Sequence, residues 1–218
     1  MKTYISQIVD DELFGYFTSA VLNNFLNQSA KECQKKLVAA GNNWYLTVDT
    51  SQTLINGTST YALPTNTLEI NRIEIVQNPG VNESYYAINE ITLNQQNMFK
   101  YSNNISGQPE AFYTQKNSIV LVPQPDASVA GRTLRLWYSP LIADVTNDSS
   151  TFDIPATFHE FVCLLATLKC YLKDGRDPAL IKDQLRETEN RLEKAAIERA
   201  KTEASTVVVV DGDGGWMY

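Results

Sequence analysis

The chain has 218 residues, 43% hydrophobic and 20% charged, an ordinary globular composition that excludes wholesale disorder, collagen and a coiled-coil rod. Its net charge is −7, from 18 basic against 25 acidic residues, with no basic cluster longer than Lys35-Lys36, which argues against tight sequence-independent nucleic-acid binding. No apolar run approaches the roughly 20 residues of a membrane span, and the stretch Met1-Lys2-Thr3-Tyr4-Ile5-Ser6-Gln7 lacks the apolar core of a signal peptide.

Residues from about Asp10 to Gly41 read as helical. Asp10-Asp11-Glu12 supply a cap and first-turn acids. Leu13, Phe14, Phe17, Val21, Leu22, Phe25 and Leu26 recur at helical spacing, and Cys33, Leu37 and Val38 continue the inward face. Gly41-Asn42-Asn43 is a stop signal. From Trp44 to about Pro140 the pattern changes to short alternating stretches. The clearest is Leu68 to Val76, whose phase shift near Arg72-Ile73 predicts a bulge or a strand end. Tyr45 to Val48, Ser118 to Val122 and Thr133 to Tyr138 are further strands. Asn56-Gly57, Asn78-Pro79-Gly80, Ser106-Gly107 and Pro123 to Asp126 mark turns. Ile91 to Phe99 is expected to form a small helix beside the sheet.

The helical signal returns at Pro155. The segment from Phe158 to Leu172 is apolar almost all round and is expected to be buried on most sides. Asp174-Gly175-Arg176-Asp177-Pro178 breaks it, and Asp177 then caps a last helix with Pro178 at its first position. There Ile181, Leu185, Thr188, Leu192 and Ala195 form a narrow stripe on an otherwise charged helix. The expected fold is α+β. A helical bundle, made of an N-terminal helix and two C-terminal helices, carries an inserted antiparallel β-module and an extended C-terminal arm. The division is residues 1–45, an N-terminal arm and helix; 46–150, the β-module; 151–204, the C-terminal helices; and 205–218, the arm.

Signals for chemistry are sparse. The single histidine, His159, precedes Glu160, but the residue four positions on is Cys163, so the zinc-protease pattern is incomplete and two ligands do not close a zinc site. No G-x-S-x-G elbow, phosphate-binding Walker loop or dinucleotide fingerprint is present. Asp144, Asp148 and Asp153 read as solvated loop acids, and Asp211-Gly212-Asp213-Gly214-Gly215 as a hinge, because the bidentate Glu of a calcium loop is missing. Cys33, Cys163 and Cys170 are odd in number. The last two lie seven apart on one helix, about 10 Å along its axis and too far for a disulfide, so reduced thiols are expected. The expectation is no enzyme, no metal and no cofactor.

The arm is different. Val207, Val208, Val209 and Val210, followed by a Gly-rich spacer and Trp216-Met217-Tyr218, are unfavourable to leave in water. They return as an extra strand on the chain's own sheet, add a strand to a partner with Trp216 and Tyr218 as anchors, or stay disordered.

One ordered series of motifs remains. Tyr61-Ala62-Leu63-Pro64 leads into Ile70-Asn71-Arg72-Ile73. Gly107-Gln108-Pro109 with Tyr113 leads into Ile119-Val120-Leu121-Val122-Pro123-Gln124-Pro125. Then follow Leu134-Arg135-Leu136-Trp137-Tyr138 and Ile154-Pro155 with Phe158-His159-Glu160. This order resembles the head-to-tail adaptor (connector, or ring) proteins of podovirus-type tailed bacteriophages, from about Tyr61 to Tyr171. The Asn-, Thr- and Lys-rich composition resembles that of a crAss-like phage of an AT-rich host. The resemblance implies a virion protein assembled in the host cytoplasm, forming a homo-oligomeric ring of about a dozen copies. The ring would lie between the portal protein and the next tail or ring protein. Genome DNA would pass through its lumen without specific binding, and an acidic lumen suits that passage. The arm residues Val207 to Val210, Trp216, Met217 and Tyr218 are expected to meet the portal or a neighbouring subunit. Lys182, Arg186, Glu189 and Glu193 are expected at the ring seam, with Thr3, Tyr4 and Ile5 as a second small arm.

Two other readings stand beside it. One is a carbohydrate-binding β-sandwich module of a phage or bacterial surface protein, using Trp44, Trp137 and tyrosines as stacking platforms; here Trp137, on an alternating strand, is expected in the core. The other is a hydrolase using His159.

Overall fold

A computed structural model describes residues 1–11, 15–41, 43–77, 80, 83–96, 106–147 and 150–205, with side chains to residue 199. The chain divides into two compact units. One is formed by Met1–Trp44 with Ile142–Tyr218, the other by Tyr45–Leu141.

Among the described residues the first unit contains four α-helices: α1 (Lys2–Ile8), α2 (Ser19–Ala39), α3 (His159–Asp174) and α4 (Ala179–Ser205). Helix α2 buries Leu22, Leu26, Ala30, Cys33 and Leu37, spaced by three and four residues, and packs this stripe against α3. It ends where Gly41 adopts a left-handed φ of 76° and its N–H bonds the Val38 carbonyl at 2.9 Å. Two polar side chains on α2 hold the returning chain. The fully buried Gln34 accepts the Ile142 N–H at 3.0 Å. The Asn27 amide accepts the Val145 N–H at 2.9 Å and donates to the Val145 carbonyl at 3.0 Å. Buried backbone that reaches a helix needs such partners.

Helix α3 buries Phe161, Val162, Cys163, Leu164, Leu165, Ala166, Thr167 and Cys170, as its all-round apolar sequence requires. Gly175, with φ 70°, closes it. The Asp177 carboxylate then accepts the Ala179 N–H at 3.0 Å, and the Pro178 carbonyl accepts the first helical bond of α4 from Lys182. Helix α4 buries Ile181, Thr188, Leu192 and Ala196 and half-buries Leu185 and Ala195.

Two N-terminal expectations are corrected. Asp10-Asp11-Glu12 do not open α2, which starts at Ser19. The Asp11 carboxylate instead accepts the N–H groups of Gly15, Tyr16 and Phe17, the last at 2.7 Å, so it organises a loop that buries Phe17. Thr3, Tyr4 and Ile5 are not an arm: they lie in α1, and Ile5 is fully buried. The end of α1 is fastened by Arg176, which donates to the Val9 carbonyl at 2.8 Å.

Among the described residues the second unit holds nine strands: β1 (Thr47–Thr53), β2 (Thr60–Ala62), β3 (Thr67–Val76), β4 (Tyr85–Glu90), β5 (Ser106–Gly107), β6 (Ala111–Gln115), β7 (Ser118–Val122), β8 (Gln124–Pro125) and β9 (Thr133–Pro140). Seven form one sheet in the order β1-β9-β3-β4-β6-β7-β2, and β5 pairs with β8. The edge strands β1 and β2 are consecutive in the chain, joined by residues 54–59, so the sheet curls until its edges approach. Across the gap the Gln52 side chain donates to the Ala62 carbonyl at 2.7 Å. Curling encloses one core, with Ile73, Ile75, Leu134 and Leu136 from one half and Tyr61, Phe112, Ile119 and Leu121 from the other.

The β3–β9 register shifts between Ile70 and Arg72, the irregularity that the phase change in the sequence marked. The expected antiparallel module is antiparallel-rich but not purely so, because β4–β6 and β5–β8 are parallel. β4 and β6 are separated by 20 residues in the chain, long enough for the parallel pairing that a tight hairpin cannot make. Of the small helix expected over 91–99, a 3-10 turn is present at Leu93–Gln95; residues 97–99 lie outside the described part.

Two outcomes follow. Leu134→Ala, at a site 2% exposed, is expected to lower unfolding stability by about 2–5 kcal/mol in urea titration. Loop bonds to Asp11 hold its carboxyl below the usual carboxylate range, the Phe17 N–H contributing most. A depressed carboxylate stabilises the fold above its unfolded pKa, and that contribution is lost as pH falls through the folded value. Asp11→Asn is therefore expected to melt lower at pH 7, with the gap from the wild type closing in acid.

Candidate functional site

In β3 and β9 alternate side chains point away from the core. The pairs Arg72↔Trp137 and Glu74↔Arg135 therefore sit side by side on the outer face, flanked by Val48 of β1, which pairs with Trp137. Glu74 lies at the centre, its side chain 8% exposed. It accepts the Trp137 indole N–H at 2.9 Å, forms an ion pair with Arg72 Nε at 2.8 Å, and lies 3.7 Å from the Arg135 guanidinium. Arg135 stacks between two rings, 4.5 Å from the centroid of Trp137 and 4.6 Å from that of Tyr85. The Tyr85 hydroxyl donates to Glu83, and that hydrogen bond pushes the phenol pKa up. A shallow depression of about 360 Å³ adjoins the cluster, lined by Leu46, Asn71, Arg72, Glu74 and Trp137.

Trp137 was expected in the core. It is half-buried on the outer face, because it is out of phase with Leu134 and Leu136 and its N–H finds an acceptor there. Trp44, 42% exposed, lies under the Arg199 guanidinium at 4.1 Å. Each indole thus has an arginine over one face.

His159 is the first residue of α3. Its Nε2 lies 3.0 Å from the Ile154 carbonyl, so that nitrogen carries the proton and ties the 3-10 turn Ala156–Phe158 to the helix. The ring borders a cavity of about 650 Å³, with Lys2, Ser19, Asn23, Ser150 and Phe152 among its walls. No carboxylate is among the cavity's described lining residues. The nearby Ser19 hydroxyl accepts from the Lys2 ammonium at 2.6 Å. Burial pushes the Cys163 thiol up to about 11, which disfavours the thiolate that a nucleophilic cysteine needs. Among the described residues no group of three or more His, Cys, Asp or Glu could hold a metal ion.

Of the four helix residues singled out at a seam, Lys182, Arg186 and Glu193 are exposed. Glu189 is half-buried and ion-paired with Lys36 of α2, a bond that raises the Lys36 pKa. At helical spacing the four share one face of α4, beside its buried stripe. Val207 to Val210, Trp216, Met217 and Tyr218 lie outside the described residues. The Glu74 cluster escaped the sequence reading. Its signal was the alternation Arg72-Ile73-Glu74 and Leu134-Arg135-Leu136-Trp137, but the register that joins strands 63 residues apart is not written in either.

Glu74→Gln keeps an acceptor for Trp137 but removes the charge that two arginines share, and is expected to lower stability by about 1–3 kcal/mol in urea unfolding. The thiols provide a second check. Burial pushes Cys33 up to about 12 and Cys170 up to about 11. A thiol reagent at pH 8 is expected to leave all three cysteines unmodified in the native protein and to react with all three in denaturant.

Comparison with curated proteins gives no match. The family model of the SU10 adaptor proteins matches residues 1–212, covering both units and nearly the whole sequence. It makes no distinction between a crAss-like phage and any other. The chain belongs to the SU10 adaptor protein family, and is thereby a phage adaptor.

Proposed function

We propose that this protein is a structural head-to-tail adaptor that forms a ring under the portal, bridges portal to tail and lines the channel through which DNA is ejected. The family match over residues 1–212 carries this reading. The four-part division into N-terminal helix, β-module, C-terminal helices and arm serves it: a bundle of α2, α3 and α4 is the rigid frame, and the arm is the tether. About a dozen copies close the ring with cyclic symmetry, which requires each subunit to present two complementary faces.

The exposed charges on α4 suit one such face. Lys182 and Arg186 sit one turn apart, with Glu193 two turns further on, so a neighbour can match them in alternating sign. Glu189 serves mainly within the chain, through Lys36. The arm, with Val207 to Val210 as strand and Trp216, Met217 and Tyr218 as anchors, reaches the portal or an adjacent subunit. The net charge of −7 suits a lumen that repels phosphate and does not trap DNA. The role is mechanical and the protein is not an enzyme; His159 secures a helix start. Assembly takes place in the host cytoplasm, and the ring joins the virion.

Removal of residues 206–218 is expected to abolish co-sedimentation with the portal ring while leaving the melting temperature within a few degrees of the wild type. Unchanged docking of the truncated chain would contradict the arm's role. His159→Gln is expected to dock as the wild type does.

A further inference from the structure

The outer face of β1, β9 and β3 has the chemistry of a receiving site. Arg, Trp and Tyr are the side chains that dominate binding energy at protein interfaces, and here they come together already held in place. The buried Glu74 fixes Arg72 through its Nε and Trp137 through its indole, while Arg135 is clamped between Trp137 and Tyr85. Ordering these side chains therefore costs little on binding. Arg72 is ion-paired to Glu74 through its Nε yet remains 56% exposed, and a guanidinium this exposed can meet a carboxylate in two-pronged geometry. Beside it, Val48 and Tyr85 are each 41% exposed and add apolar surface.

The occupant is written at the other end of the chain. Residues 206–218 carry two carboxylates, Asp211 and Asp213, and no Lys or Arg, together with four valines and Trp216. In an extended segment Val207, Val209, Asp211 and Asp213 fall on one side, so apolar and acidic groups reach a sheet face together. Thirteen residues span roughly 43 Å when extended, enough to reach beyond their own subunit. We infer that the acidic, valine-rich arm of one copy docks on the Arg72–Trp137–Tyr85 face of a second copy, with Asp211 or Asp213 received by Arg72. This rests on the ring-forming adaptor reading and adds to it the surface that receives the arm.

The test uses the full-length chain and a charge exchange, read by sedimentation velocity across concentration. The wild type is expected to self-associate. Arg72→Glu alone, and Asp211→Arg with Asp213→Arg alone, are each expected to weaken association at least tenfold. The combined variant is expected to recover most of it, which a merely misfolded Arg72→Glu protein could not do. Arg72→Gln, which adds no charge beside Glu74, is expected to weaken association less. If the wild type associates and the variants associate equally well, the docking site is overturned while the ring reading stands. Variants that weaken association with no recovery on combination overturn the pairing of Arg72 with the arm. A wild type that remains monomeric at 0.5 mM overturns the arm contact between copies.

Discussion

The first and last strands of the β-unit are hydrogen-bonded to each other. β1 brings the chain in from the helical unit and β9 takes it out again, and they pair from Thr47↔Tyr138 to Thr53↔Thr133. That single pairing makes an inserted module possible. Closing an unstructured loop of this length would cost about 4 kcal/mol in chain entropy beyond a constant term. A module whose own ends are zipped together removes most of that cost from the helical unit. Within the helical unit α2 packs on α3 although the contact pairs lie more than a hundred residues apart. Gln34 with Ile142 and Asn27 with Val145 hold the chain where it returns.

The same pairing builds the outer face. β9 lies between β1 and β3, so its alternate residues touch both neighbours. Leu134 and Leu136 enter the core, and Arg135 and Trp137 are left outside, over Glu74. A buried carboxylate is tolerable only when its charge is answered, and here two guanidiniums and an indole N–H answer it. The result is an aromatic patch with an exposed arginine, Arg72, at its edge, and an acidic arm is a feature of the same sequence that could meet that arginine.

What the sequence made legible was local. The Asp177-Pro178 start of α4, the Gly41 and Gly175 ends, the buried character of α3 and the irregularity near Arg72 each depend on residues a few positions apart. What stayed hidden was set by partners far along the chain. Asp10-Asp11-Glu12 looked like a helix start because acids favour both caps and tight loops; the choice fell to Asp11, whose carboxylate is satisfied by three loop N–H groups. Helix α1 is short and gains its stability from burying Ile5 rather than from its own sequence. The parallel β4–β6 pair and the Glu74 cluster both depend on register between distant strands. The motifs that pointed to a phage adaptor lie mainly within the β-unit and at the start of α3, where turns and strand ends constrain the sequence.

The central claim is that this protein is a stoichiometric ring component docked on a portal. Native mass spectrometry of the full chain, alone and mixed with the portal ring from the same genome, tests it most directly. The account predicts a mass increase of about one copy per portal subunit. A chain that stays monomeric and leaves the portal mass unchanged at high concentration would contradict it.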